Sequence, residues 1–170
     1  NVANKQCNTP VSGTDFYPTI LDLLGIELKP EEHADGVSLL PLLMGDEIEN
    51  RPLIWHYPHY GNQGGEPSSV IRIGDWKLIH YYEDDRNELY NLRSDLEEIN
   101  DVSKDHLDLV KELKTTLFDY LKDVGAKFPV KDSLYSSELE QKYLKHISTV
   151  KIQNLEKQRL KFLSPDFDPK

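Results

Sequence analysis

Cysteine is almost absent from this sequence: Cys7 is the only one in 170 residues. No intrachain disulfide can close, and no cysteine-rich zinc site can be built. There is no run of about 18 apolar residues, so no segment reads as a membrane-spanning helix. Positive charge is also short, with 20 Lys and Arg against 30 Asp and Glu and a formal net charge of −10. Nonspecific nucleic-acid binding needs a net cationic face, so nucleic acid is not an expected partner. A sulfated or phosphorylated ligand would need a local cationic pocket. The chain starts at Asn1 with polar residues and shows no signal peptide, and it is read as a fragment of a longer protein.

Residues 1–13 are polar, with Pro10 and Gly13, and read as a linker. Asp15 suits a helix N-cap, with Pro18 in the first turn, where no backbone donor is needed. Tyr17, Ile20, Leu21 and Leu24 follow at helical spacing and Gly25 can close the helix. Asp35-Gly36 suggests a turn before a short helix ended by Gly45.

The middle is rich in strand signals. Leu53–Tyr57 is one strand, stopped by Pro58, and residues 61–67 form a glycine-rich loop. Residues 69–73 and 76–82 are strands joined by Gly74-Asp75, a two-residue hairpin signal. After a turn at residues 84–87, residues 88–92 form another strand, which completes an antiparallel meander. In residues 76–82, Trp76, Leu78, His80 and Tyr82 share one face, and Lys77, Ile79 and Tyr81 the other. Ser103 is the expected cap of a helix whose apolar face carries Val110, Leu113, Leu117, Tyr120, Leu121 and Val124. Gly125 closes it, and it is the natural cover for one side of the sheet. Residues 134–163 are expected to be a helical tail with a thin apolar stripe. Packing on its own domain, an oligomer contact and a partly unfolded end all stay open for it.

Several segments, in order, resemble the C-terminal part of the sulfatase family. They are Pro10-Val11 with Asp15–Gly25, Asp35–Leu43, Trp55–Tyr60, Ile71–Ile79, Glu88–Leu92 and Asp95–Glu98. The resemblance spans roughly residues 10–130. It implies an α+β fold: a small antiparallel sheet of about four strands covered by an amphipathic helix, with N-terminal helical pieces and a helical tail. It also implies a division of the chain. Residues 1–49 would end a large catalytic α/β domain, 50–130 would be the small domain, and 131–170 the tail.

The family cleaves sulfate esters with a formylglycine made from Cys or Ser in a Cys/Ser-x-Pro-x-Arg motif, assisted by calcium. Cys7 does not fit, because Pro10 comes one place too late and no Arg follows at the needed spacing. Asp84-Asp85 is the only tandem Asp, and turn chemistry explains it. No catalytic or metal-binding residue is therefore assigned to this chain, and calcium and formylglycine are implied for the parent alone. The candidates that remain are for substrate binding. His56, His59 and Tyr60 flank Pro58 and can hydrogen-bond or stack on a sugar; packing in the sheet or at a domain interface is the competing reading of His56 and Tyr57. Arg72 needs either an anionic ligand or a carboxylate partner. Lys77 is expected to snorkel beside Ile79 and Tyr81, and Trp55 and Trp76 to lie in the core. His33, His80, His106 and His146 lack ligand spacing.

The implied function is that of a C-terminal sulfatase fragment, itself inactive, acting in its parent on a sulfated saccharide. The implied partners are the large N-terminal domain and that saccharide, with a dimer possible. The implied location is periplasmic or secreted. Two other readings stay open. One is a non-catalytic carbohydrate-binding module. The other is the same region of a phosphate or phosphonate ester hydrolase.

Overall fold

The computed structural model describes residues 6–61, 65–165 and 167. The chain divides into two compact units, Asn1–Pro129 and Val130–Lys170. The heart of the first is a four-stranded antiparallel sheet in sequential order, β1 (Leu53–Tyr57), β2 (Ser68–Ile73), β3 (Trp76–Tyr81) and β4 (Asn87–Asn91). Gly74 turns β2 into β3 at φ +57°, a left-handed conformation that glycine takes without a steric penalty. These are the strands expected from the sequence, with ends shifted by a residue.

Register explains which residues are buried. Ile54 faces Ile71, Ile71 faces Leu78, and Leu78 faces Leu89, so one apolar row crosses the sheet. Helix α3 (Leu107–Asp123) lays Leu113, Leu117 and Leu121 over that row. Their four-residue spacing keeps them on one helical stripe. Five of these side chains (Ile71, Leu78, Leu89, Leu117 and Leu121) are at most 2% exposed. Each contributes roughly 1.5–3 kcal/mol through burial.

The expected cap at Ser103 is corrected. Both the Ser103 amide and its hydroxyl donate to Asp101, at 2.9 and 3.1 Å, and the same carboxylate accepts the Leu89 amide at 3.0 Å. Ser103 and Asp101 thus fasten the connector to the middle of β4, at Leu89, and the helix begins four residues after Ser103, at Leu107. Two side-chain expectations on the second sheet face are also overturned. Lys77 does not snorkel alone, since its Nζ lies 2.6 Å from Glu98 Oε2. Trp55 is 47% exposed rather than core, while Trp76 does pack against the core.

The N-terminal segment is organised by one carboxylate. A 3₁₀ turn, Gly13–Asp15, leads into α1 (Phe16–Leu23), so the chain enters the helix one turn before the expected cap. Asp15 is fully buried. Its carboxylate accepts the amides of Ser12 at 2.7 Å and Val37 at 3.0 Å, and the Arg51 guanidinium at 2.5 Å. Thr19 links the same helix to the strap before α2 (Leu40–Met44), accepting the Leu39 amide at 2.8 Å. Gly36 lies so close to Thr14 that a Cβ there would sit 2.3 Å from the Thr14 carbonyl oxygen.

The second unit holds α4 (Ser137–His146), a π-helical turn over Ile147–Lys151, and α5 (Ile152–Phe162). Ser136 caps it by accepting the Leu139 amide. No described residue of this unit is buried.

Replacing Asp15 by Ala strands the half-buried Arg51 and two amides. The expected loss is about 3–5 kcal/mol, read as a lower urea midpoint. Asp119→Ala, at an exposed pair 3.9 Å from Lys122, should shift stability by less than about 0.5 kcal/mol. Equal effects of the two would refute the central place given to Asp15.

Candidate functional site

Three of the residues singled out in the sequence, His56, His59 and Tyr60, lie where β1 ends. Alternation along the strand sends His56 to the α3 side of the sheet and Tyr57 to the other. Pro58 then breaks the ladder and leaves His59 and Tyr60 exposed. The rings of Tyr57 and His59 lie 3.9 Å apart, centroid to centroid, at 51°. Together they form an aromatic edge beside Tyr60, which is 64% exposed.

Behind this edge lies a partly buried relay. His56 Nδ1 is 2.6 Å from Ser69 Oγ, and Ser69 Oγ is 2.6 Å from the Tyr82 hydroxyl. His56 Nε2 is 2.9 Å from the Lys127 carbonyl oxygen. A carbonyl only accepts, so Nε2 carries the proton and Nδ1 accepts from Ser69, which in turn accepts from Tyr82. Burial holds the Tyr82 phenol above its ordinary pKa, and the Ser69 bond opposes this in part. His80 extends the cluster, with its ring edge-on to Tyr82 and to Phe118, each at 5.0 Å. Its Nδ1 donates to Asn87 Oδ1 at 3.0 Å. Burial pushes its pKa down, against the Asn87 bond that raises it.

A Ser–His contact of 2.6 Å has the geometry of an activated nucleophile. Ser69 is nevertheless fully buried, and its oxygen is already held between His56 and Tyr82. A substrate carbonyl or sulfate has no route to it, so the pair braces the sheet.

Arg72 is not brought to this edge. It pairs across the sheet with Leu53, at the opposite end of β1 from Tyr57. The expected carboxylate partner is replaced by the Gly74 carbonyl of its own hairpin, 3.1 Å from Nε. Arg72 and Arg51 border a cavity of about 10 Å³, room for roughly one water. A larger groove of about 360 Å³ runs between Val37, Arg51, Trp55, Thr116 and Tyr120. Its charged wall groups are engaged, Arg51 with Asp15 and Asp35 with the Tyr120 hydroxyl.

A calcium seat does not fit the described residues. Asp84 accepts from Arg86 of the same turn and Asp85 from Lys114 of α3, the latter at 2.9 Å, so both carboxylates are engaged by basic side chains. No group of three or more His, Cys, Asp or Glu among the described residues is arranged to hold a metal ion. Cys7 is exposed, with its thiol pKa lowered by hydrogen bonds from Thr9. No described helix is long and apolar enough to cross a membrane.

The first unit is thus a sequential four-stranded antiparallel meander covered on one face by a single helix. The model of the family "N-sulphoglucosamine sulphohydrolase, C-terminal" matches residues 2–124, and the chain belongs to that family. It is 34% identical over 122 residues to a sulfatase of Formosa agariphila, covering 63% of this chain and 22% of that one. It is 38% identical over 97 residues to an N-acetylglucosamine-6-O-sulfatase of Bacteroides thetaiotaomicron, covering 52% and 16%. Among solved structures it superposes, with a TM-score of 0.53 and 31% identity, on one in complex with its substrate D-glucosamine-2-N,6-O-disulfate. That match covers 64% of this chain and 23% of the other. A 2-O GAG sulfatase gives a TM-score of 0.55 at 27% identity, covering 64% and 24%. The chain therefore spans about a fifth of the length of the curated relatives it matches.

Ser69 and its relay were not legible in the sequence as a site, because residues 56, 69 and 82 are brought together only by the β1–β2 and β2–β3 pairings. The low His80 pKa predicts a pH effect. As pH falls below about 6.5, the unfolded chain takes up a proton that the folded chain resists, so stability falls. His80→Gln should flatten the urea-midpoint decline between pH 7.5 and 5 by up to about 1.4 kcal/mol per pH unit. Parallel declines would remove this reading.

Proposed function

We propose that this chain is the C-terminal part of a sulfatase that hydrolyses sulfate esters of a sulfated saccharide. In this reading, residues 1–49 close a large catalytic domain, 50–130 form the small domain, and 131–170 are a tail. The upstream domain supplies the formylglycine nucleophile and the calcium ion, and the parent is periplasmic or secreted. The observation that carries the reading is the ordered match across residues 2–124 to a family whose solved relatives include one bound to a disulfated glucosamine.

This chain's own contribution is recognition. His59 and Tyr60 stand at the mouth of the cleft, where Tyr60 can stack on a sugar face and His59 can hydrogen-bond a hydroxyl. Tyr57 holds His59 in place through ring contact. His56 supports that edge from behind, since both of its nitrogens are already bonded within the sheet. Arg72, at the far end of the sheet, acts only on a ligand long enough to reach it.

In the full-length enzyme, His59→Ala and Tyr60→Ala should each lower kcat/KM on a sulfated disaccharide roughly tenfold, about 1.4 kcal/mol, mainly through KM. A small aryl sulfate, which does not reach the edge, should be cleaved at the unchanged rate. The isolated 170-residue chain should hydrolyse neither substrate. Turnover by the isolated chain would overturn the division of labour, and equal losses on both substrates would overturn the recognition role.

A further inference from the structure

The edge at the end of β1 offers two tyrosines and a histidine but no permanent cation, whereas a sulfated saccharide carries anionic groups. Around the sheet, Arg51 pairs with Asp15, Lys77 with Glu98, Arg86 with Glu66 and Asp84, and Lys114 with Asp85. Arg72 lies at the other end of β1. Lys127 is a cation whose backbone the fold fixes at the Tyr57 end.

Its place follows from the way α3 ends. Gly125 takes a left-handed conformation at φ +66°, and the Ala126 amide returns to the Leu121 carbonyl at 2.8 Å, which turns the chain out of the helix. Phe128 then anchors the strap. Its ring stacks on Phe118 at 5.8 Å and 8°, and it meets His56 and Tyr82 edge-on at 5.7 and 6.0 Å. Between these two fixed points, His56 Nε2 donates to the Lys127 carbonyl at 2.9 Å. Lys127 is thus bonded to the penultimate residue of β1, three positions before His59. The residue is exposed, and its ammonium takes part in none of the ion pairs among the described residues. A flexible four-carbon stem lets a compact ammonium meet an anion without a preset angle. In solvent such a contact adds selectivity more than affinity, because water and salt screen it.

We infer that Lys127 is a specificity-determining residue, whose ammonium meets an anionic substituent, sulfate or carboxylate, on the sugar unit that rests against His59 and Tyr60. The inference rests on the recognition role proposed for that edge. Lys127 lies beyond residues 2–124, the span of the family match, so its role is drawn from this chain alone.

The test measures kcat/KM of the full-length enzyme on disaccharides that share the scissile sulfate ester. On the neighbouring sugar they carry a second sulfate, a carboxylate or hydroxyls only. Wild type should prefer the charged substrates. Lys127→Gln should lower that preference about fivefold, through KM, and Lys127→Arg should restore most of it. The difference between wild type and Lys127→Gln should shrink at about 0.5 M salt, which shortens electrostatic reach. A loss confined to the sulfate or to the carboxylate substrate identifies the anion that is read. A wild type without the preference, a preference unchanged in Lys127→Gln, or one that Lys127→Arg fails to restore would each overturn the inference. His59→Ala and Tyr60→Ala separate it from the reading beneath it. If they leave every disaccharide unaffected, the recognition edge fails and the role of Lys127 falls with it. If they impair all the disaccharides while Lys127→Gln keeps the preference, only the role of Lys127 falls.

Discussion

The buried carboxylate of Asp15 is the constraint on which the N-terminal third of the structure depends. Residues 6–50 contain two short helices and long irregular stretches, too little regular structure to hold a shape by propensity. What fixes them is a single acceptor. It takes the Ser12 amide at the start of α1, the Val37 amide from the turn after Gly36, and the Arg51 guanidinium just before β1. A buried charge persists only when its lone pairs are filled, so the three donors must converge. That convergence ties α1 and the α2 strap to the first strand. It also leaves Phe16, Ile20, Leu23 and Leu24 exposed, an apolar face that larger relatives have the length to cover.

The sheet treats its two faces differently. The α3 side is closed by leucines at one end and by the His56–Ser69–Tyr82–His80 cluster at the other. Every polar group in the relay has a partner, so the cluster fixes the end of β1 and has no free valence for chemistry. The opposite face carries half-exposed Trp55 and Tyr57 with the Lys77–Glu98 pair at its side. A rigid β1 end with aromatics just beyond it is a suitable mount for recognition, because the loop departs from a strand that cannot shift.

Most of the fold could be read from the sequence, because the sheet is built from period-two strands, the Gly74-Asp75 turn and a helix with leucines at four-residue spacing. These are local signals. Two of the misreadings share one cause, a partner distant in sequence. Ser103 looks like a cap until Asp101, itself bonded to Leu89 in the middle of β4, claims it. Lys77 looks like a snorkelling side chain until residue 98 is brought beside it. Arg72, by contrast, has a partner within its own hairpin, the Gly74 carbonyl two residues away. The candidate edge was legible only in part: His59 and Tyr60 followed from Pro58, whereas the brace behind them depends on strand register.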